Sequence, residues 1–121
     1  MEEAQQMSKK KKISANYLEK IPERSQKLRW STNEEGIVTL EIDNVGFFNK
    51  LAQKLLKKPP VSYIHLDKFG SFVWQLIDGE KNLLDMGESI REAFGDDAEP
   101  LYERLAKFFQ ILESYGFISF K

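Results

Sequence analysis

Alternating apolar and polar positions in the first half of the chain predict an antiparallel sheet. The segments Leu28–Thr32 and Ile37–Ile42 alternate with period two on either side of residues 33–36, whose composition is typical of a turn, and together they predict a hairpin. The apolar run Val61–Leu66 predicts a third strand, and Asp67 after it can cap the start of a helix. The pattern therefore predicts three strands, of which the first two are adjacent.

Apolar positions spaced by three and four residues predict four helices. The first covers residues 47–58, is inserted between the second and third strands and ends at Pro59-Pro60. The other three cover Asp67–Ile77, the stretch from the cap Asn82 to Gly95, and Asp96–Tyr115 with Pro100 in its first turn. The predicted fold is α+β and winged-helix-like, with a three-stranded antiparallel sheet followed by three helices.

The two ends of the chain differ from this pattern. Residues 1–16 are polar, contain the run Lys9–Lys12 and lack apolar periodicity, so they predict a flexible basic tail in front of a single domain over residues 17–121. Residues 17–27 predict one docked helical turn, because Pro22 interrupts any longer helix. The closing segment Phe117–Phe120 is expected to be a strand or a docked tail.

Composition excludes several classes of protein. The chain has no cysteine, which rules out disulfides, thiolate zinc sites and cysteine nucleophiles and fits a cytoplasmic location. No apolar run approaches the roughly 20 residues needed to cross a bilayer, so no membrane association is expected. Residues 1–60 carry twelve basic and eight acidic side chains, and residues 61–121 carry six and eleven. An acidic second half argues against a nucleic-acid binder, whose reading helix should be basic.

Enzyme signatures are missing from the sequence. His65 is the single histidine, and neither a Walker loop nor a GxGxxG motif is present, so we predict no catalytic residue, no metal site and no cofactor. An oxygen-only metal site stays open as an alternative, although its candidate ligands have no spacing that resembles an EF-hand loop; they are Asp78, Glu80, Asp85 and Asp96. Binding is therefore the expected activity, and a small sheet offers an edge strand to which a peptide can add.

Four segments carry a resemblance to a known family. They are Ile64–Gly79, Asn82–Leu84, Phe94-Gly95, and Phe109–Ile118 with the ending formed by Phe108 or Phe109, Leu112, Gly116 and Ile118. In this order and spacing they resemble the PqqD-like family, which provides recognition elements for ribosomally made, modified peptides. The resemblance extends from about Leu28 to Phe120.

The resemblance implies a non-catalytic adaptor in peptide modification or cofactor biosynthesis. Such a protein holds the leader of a precursor peptide as an added strand and presents it to a radical S-adenosylmethionine enzyme. The implied backbone contacts come from the third strand, at Ser62, Tyr63, Ile64 and His65. The implied groove side chains come from the last helix and are Leu101, Arg104, Leu105 and Phe108.

The residues themselves leave alternatives to this interpretation. Leu101, Leu105 and Phe108 are equally well explained as core side chains. Tyr63 and His65 share one strand face, and they are available to a ligand if Ile64 and its neighbour Leu66 pack inward.

The chain departs from the family pattern in two places. The inserted helix and the longer basic tail leave open whether pyrroloquinoline quinone synthesis itself is involved. A winged-helix nucleic-acid binder remains the alternative function, and a third hypothesis is a regulatory subunit. In such a subunit, the groove is filled by its own segment Phe117–Phe120 or by a second copy of the chain. The protein is expected to be a monomer or a weak dimer, in which domains could be exchanged through a hinge at Gly95.

Overall fold

The computed structural model describes residues 15–43 and 61–121. In chain order the elements are α1 (Ala15–Leu18), β1 (Pro22–Arg24), β2 (Arg29–Thr32), β3 (Val38–Asp43), β4 (Val61–His65), α2 (Lys68–Leu76), α3 (Leu83–Phe94), a 3-10 turn (Gly95–Ala98), α4 (Leu101–Ser114) and β5 (Ile118–Phe120). The predicted α+β class and the three-stranded antiparallel sheet followed by three helices are confirmed. The predicted helix over residues 47–58 and the tail up to residue 14 lie outside the described residues.

The chain forms two compact units. We call residues 26–74 the sheet unit, because it holds the antiparallel sheet β2-β3-β4 and most of α2. We call residues up to Ser25 and from Gln75 onward the helical unit, because it holds α1, α3, α4 and the two-stranded sheet β1-β5. Ala15 and Asn16, predicted to belong to the tail, begin α1. The single domain over residues 17–121 stays a prediction.

The hairpin of the sheet unit forms where the alternation predicted it. Asn33 begins the turn, and its Oδ1 accepts hydrogen bonds from the backbone N–H groups of Glu35 at 2.8 Å and Ile37 at 3.0 Å. Gly36 has a φ of 81°, a backbone conformation that residues with a Cβ rarely adopt. Along β3, the side chains of Val38, Leu40 and Ile42 are buried, as expected for one face of the strand.

Helix α2 packs on this buried face of the sheet. Asp67 caps it, because its Oδ1 accepts a hydrogen bond of 2.7 Å from the N–H of Gly70. One turn later the buried Ser71 hydroxyl accepts the N–H of Val38 at 2.8 Å and donates to the carbonyl of Leu66 at 3.3 Å. The serine therefore joins β3 to the end of β4 at the position where a direct strand-to-strand bond would otherwise lie.

The helical unit contains a small sheet that the sequence analysis missed. Strand β1 pairs antiparallel with β5, so that Arg24 lies opposite Ile118 and Pro22 opposite Phe120. Of the two expectations for the closing segment, the strand is therefore confirmed. Next to it, the ring of Tyr17 in α1 meets the ring of Phe120 edge-on at 5.6 Å, and burial together with the Glu113 carboxylate raises the pKa of Tyr17 to about 12.

The prediction that the last helix opens at Asp96 is wrong. Asp96 and Asp97 belong to the 3-10 turn, and α4 begins only at Leu101 after the cap Pro100. Proline disfavours helical backbone in the residue before it, and Glu99 is accordingly extended with φ −77° and ψ 145°. The side chain of Glu99 partly replaces the missing helical bond by accepting the N–H of Leu101 at 3.3 Å.

Helices α3 and α4 meet at a glycine. A Cβ built on Gly87 of α3 would lie 2.7 Å from the hydroxyl oxygen of Tyr102 in α4 and 2.8 Å from a ring carbon. The same tyrosine ring lies beneath the Arg91 guanidinium at 5.3 Å, and Arg91 forms a salt bridge of 3.2 Å to Glu99. Gly87 therefore leaves room for the Tyr102 ring against α3.

We expect Gly87→Ala to destabilise the protein by about 1–3 kcal/mol, measured by urea unfolding, because the added methyl group overpacks this contact. In an unobstructed helix the same change would stabilise by about 1 kcal/mol. The matched control is Glu88→Ala at the next, exposed position. Adding Tyr102→Ala should remove the penalty, and a stabilising Gly87→Ala on its own would show that the contact is loose.

Candidate functional site

Strand β4 is one of the two edge strands of the three-stranded sheet in the part of the chain that the structure describes. The N–H of Leu66 donates to the carbonyl of Val38, and β4 pairs with β3 so that Ile64 lies opposite Leu40 and Tyr63 opposite Glu41. In an antiparallel pair, hydrogen-bonded and non-hydrogen-bonded positions alternate. The backbone groups of Ile64 therefore point toward β3, and those of Tyr63 and His65 point away from it.

The outer face of the sheet carries two polar cross-strand rows, each ending at β4. In one row Arg29 of β2 forms a salt bridge of 3.0 Å to Glu41 of β3, which lies opposite Tyr63. Tyr63 is 60% exposed. In the other row Thr39 Oγ1 and His65 Nδ1 share a hydrogen bond of 2.7 Å, and His65 is exposed. Tyr63 and His65 thus occupy the same face, as predicted.

The inner face ends in an exposed apolar side chain. Ile64 lies opposite the fully buried Leu40, yet it is itself 38% exposed at the sheet edge. On the other side of Leu40 lies Trp30, whose ring meets that of the buried Trp74 edge-on at 6.1 Å. Ile64 therefore offers apolar contact to any chain that lies beside β4.

Three of the four predicted helix residues have clear places in the helical unit. Leu101 and Leu105 are buried, at 1% and 0% exposure. Arg104 donates through Nη1 to the carbonyls of Asp97 at 2.8 Å and Ala98 at 3.2 Å, and so ties α4 to the 3-10 turn.

Phe108, the fourth predicted helix residue, is half-buried. Its ring meets the ring of the buried Phe109 edge-on at 5.5 Å. Of the four helix residues, Phe108 and Arg104 therefore keep surface that a ligand can contact.

Among the residues that the structure describes, acidic side chains outnumber basic ones on the exposed surface of the helical unit. The exposed acids of α3 and the segment after it are Asp85, Glu88, Glu92, Asp96, Asp97, Glu99 and Glu103. The one arginine of α3, Arg91, is engaged by Glu99, and the N–H of Leu101 together with Arg91 lowers the pKa of that carboxyl. This surface would repel a phosphate backbone.

A small polar pocket of about 210 Å³ lies in the helical unit between β1 and the turn after α2. Its lining residues are Glu23, Arg24, Ile77, Asp78 and Gly79. The Arg24 guanidinium donates to the carbonyl of Ile77, and burial lowers its pKa. Asp78 accepts the N–H groups of Glu80 and Lys81 and forms a salt bridge of 2.8 Å to Lys81, whose hydrogen bonds lower the pKa of Asp78. These polar groups are satisfied by the chain itself.

Residues 15–43 and 61–121 contain no group of three or more histidine or acidic side chains that could hold a metal ion. The four acids considered from the sequence, Asp78, Glu80, Asp85 and Asp96, do not form one. No helix within the same ranges is long and apolar enough to cross a membrane.

Comparison with known protein families found a match to the second half of the chain. A family model described as coenzyme PQQ synthesis protein D (PqqD) matches residues 55–118, which include β4, α2, α3 and α4. Since the match covers more than half of the chain, the protein belongs to the PqqD family. The match leaves out β2 and β3, to which the resemblance had extended. No curated protein and no solved structure matches the chain.

Proposed function

We propose that this protein is a non-catalytic adaptor of peptide modification. It binds the leader of a ribosomally made precursor peptide as a strand added to β4 and presents it to a radical S-adenosylmethionine enzyme in the cytoplasm. The observation that carries the proposal is the edge of β4, where the backbone groups of Tyr63 and His65 point away from the sheet.

Membership of the PqqD family supports a role in binding partners, and the edge supplies a physical means. An added strand would gain main-chain hydrogen bonds from Tyr63 and His65 and apolar contact from Ile64. By the same alternation the backbone groups of Ser62, like those of Ile64, point toward β3 and are not offered to an added strand. The side chains Arg104 and Phe108 remain predicted leader contacts. Leu101 and Leu105 belong to the same prediction, but both are buried. The winged-helix arrangement and the single domain belong to the same proposal.

Proline in place of Tyr63 gives the direct test. We expect Tyr63→Pro to weaken leader binding at least about tenfold, because it removes one outward N–H and places a ring where the added strand would lie. The ligands are synthetic leaders of precursor genes that neighbour the gene of this chain. Binding is measured by amide NMR titration, with wild-type shifts expected at the amides of Tyr63 and His65.

The matched control is Thr32→Pro. The N–H of Asn33 donates to the carbonyl of Ile37, so the alternation places the N–H of Thr32 at the opposite edge of the sheet, pointing away from β3. Both variants should retain the circular dichroism of the wild type, and Thr32→Pro should retain its affinity. Undiminished affinity in a folded Tyr63→Pro variant would contradict strand addition at β4.

The two other hypotheses make different predictions in the same titration. A winged-helix nucleic-acid binder would respond to DNA with steep salt dependence, which the acidic surface of the helical unit argues against. A regulatory subunit filled by its own tail would need Phe117–Phe120 at the β4 edge. In the structure, the strand Ile118–Phe120 pairs instead with β1.

A further inference from the structure

The geometry points to a role for the His65 side chain in peptide binding: it recognises an acidic residue of the bound peptide. This inference rests on the proposed strand addition at β4. His65 would then act through its side chain as well as its backbone. The recognised sequence would contain an aspartate or glutamate opposite His65, followed or preceded directly by an apolar residue.

The orientation of the His65 ring carries this inference. Its Nδ1 is held by the Thr39 hydroxyl at 2.7 Å on the outer face of the sheet. When the hydroxyl donates to Nδ1, the proton of the neutral ring is on Nε2, and a doubly protonated ring also carries a proton there. In the remaining state, a neutral ring with its proton on Nδ1, the hydroxyl accepts and Nε2 is an acceptor. A peptide carboxylate therefore selects the two states in which Nε2 is a donor, and His65 is exposed at the edge strand.

An added strand brings a side chain within reach of this donor. Because the backbone of His65 points away from β3, the peptide residue that pairs with it places its own side chain on the same outer face. Side chains directly opposite across antiparallel strands have Cβ atoms about 5 Å apart. A carboxylate is the acceptor that gains most from a histidine donor, because the hydrogen bond is assisted by charge.

The neighbouring charges on this face favour the same chemistry. Glu41, the acid nearest in the sheet, lies in the row of Tyr63 and is already paired with Arg29 at 3.0 Å. Its charge is therefore compensated when an acidic peptide residue arrives in the row of His65. On the inner face, the next peptide residue lies opposite Ile64, whose exposed apolar surface selects an apolar side chain.

The test uses a displayed library of random octapeptides, selected on the full chain and on the variants His65→Phe and Tyr63→Pro. Phenylalanine keeps an aromatic ring and suits a strand, but it lacks both ring nitrogens. Peptides that the wild type retains and Tyr63→Pro loses are the edge binders. Among them we expect aspartate or glutamate to be enriched beside an apolar residue on the wild type and not on His65→Phe.

A pair of synthetic peptides then quantifies the contact. Changing the acid of the most enriched peptide to its amide should weaken binding to the wild type about fivefold, the upper end for an exposed charge pair. It should leave binding to His65→Phe unchanged. Thr39→Val, which removes the hydroxyl that orients the ring, should reduce the acid preference while it retains edge binding.

The outcomes separate this inference from the proposed function. Edge binders without acid enrichment, or with the same enrichment on His65→Phe, would overturn the role of His65 and leave strand addition intact. A library that yields no peptide sensitive to Tyr63→Pro would overturn strand addition, and the role of His65 with it.

Discussion

Replacing Ser71 by alanine should lower the free energy of unfolding by about 2–3 kcal/mol, although only one oxygen is removed. The hydroxyl accepts the N–H of Val38 and donates to the carbonyl of Leu66, and Val38 is fully buried. Without it, a buried backbone donor and its neighbouring acceptor lose their partners, and each unsatisfied group costs about 1–3 kcal/mol. Urea unfolding at constant pH measures the loss.

Ser114→Ala is the matched control for Ser71→Ala. The Ser114 hydroxyl also donates to a backbone carbonyl, that of Ile111 at 2.7 Å, but it is exposed and water can replace it. We expect a change within about 0.5 kcal/mol for this variant. Equal effects in the two variants would show that Ser71 does not join the strands. The predicted loss in Ser71→Ala alone would also show that α2 supports the candidate binding edge, because the Ser71 hydroxyl holds the carbonyl of Leu66 at the end of β4.

The second large effect should come from Phe109. This ring is fully buried and contacts the rings of Phe108 at 5.5 Å and Phe120 at 6.3 Å. Phe109→Ala would remove most of that packing and leave a cavity in the helical unit, at an expected cost of about 3–5 kcal/mol in the free energy of unfolding. Thermal and urea unfolding should both show it.

The neighbouring Phe108 supplies a control of the same residue type. It is half-buried, so Phe108→Ala should cost only about 1–2 kcal/mol by the area it withdraws from water. Phe108 is also one of the predicted leader contacts. A folded Phe108→Ala variant that loses leader binding would support that role, whereas equal destabilisation by both variants would assign Phe108 to the core.

The elements that the sequence predicted correctly are those in which one local signal decides. Alternation alone placed Val38, Leu40 and Ile42 on one face of β3, because period two follows from strand geometry. The cap at Asn82 was equally local, since its side chain accepts the N–H of Asp85 and the Asp85 side chain accepts the N–H of Asn82.

The elements that were missed depend on contacts distant in sequence. Strand β1 has only three residues and begins at a proline, and its partner β5 lies almost a hundred residues further along the chain. The predicted start of α4 was wrong because the acids at positions 96 and 97 suit the start of a helix as well as a 3-10 turn. There the backbone restriction before Pro100 decided the outcome.

The candidate site divides in the same way. The shared face of Tyr63 and His65 was predictable from alternation. The outward direction of their backbone groups was not, because it depends on which positions of β3 bond to β4. The bond between Thr39 and His65 also needs this register, so no sequence signal identified Thr39 beforehand.

The placement of Trp30 and Trp74 side by side in the sheet unit has a consequence for fluorescence measurements. The chain has two tryptophans, and both lie in the sheet unit, whereas Tyr17, Tyr102 and Tyr115 lie in the helical unit. Excitation at the red edge of tryptophan absorption therefore reports on the sheet unit alone. The intrinsic fluorescence of the unlabelled protein can thus time events in the sheet unit, and its time course can be compared with the circular dichroism, to which α3 and α4 of the helical unit contribute most.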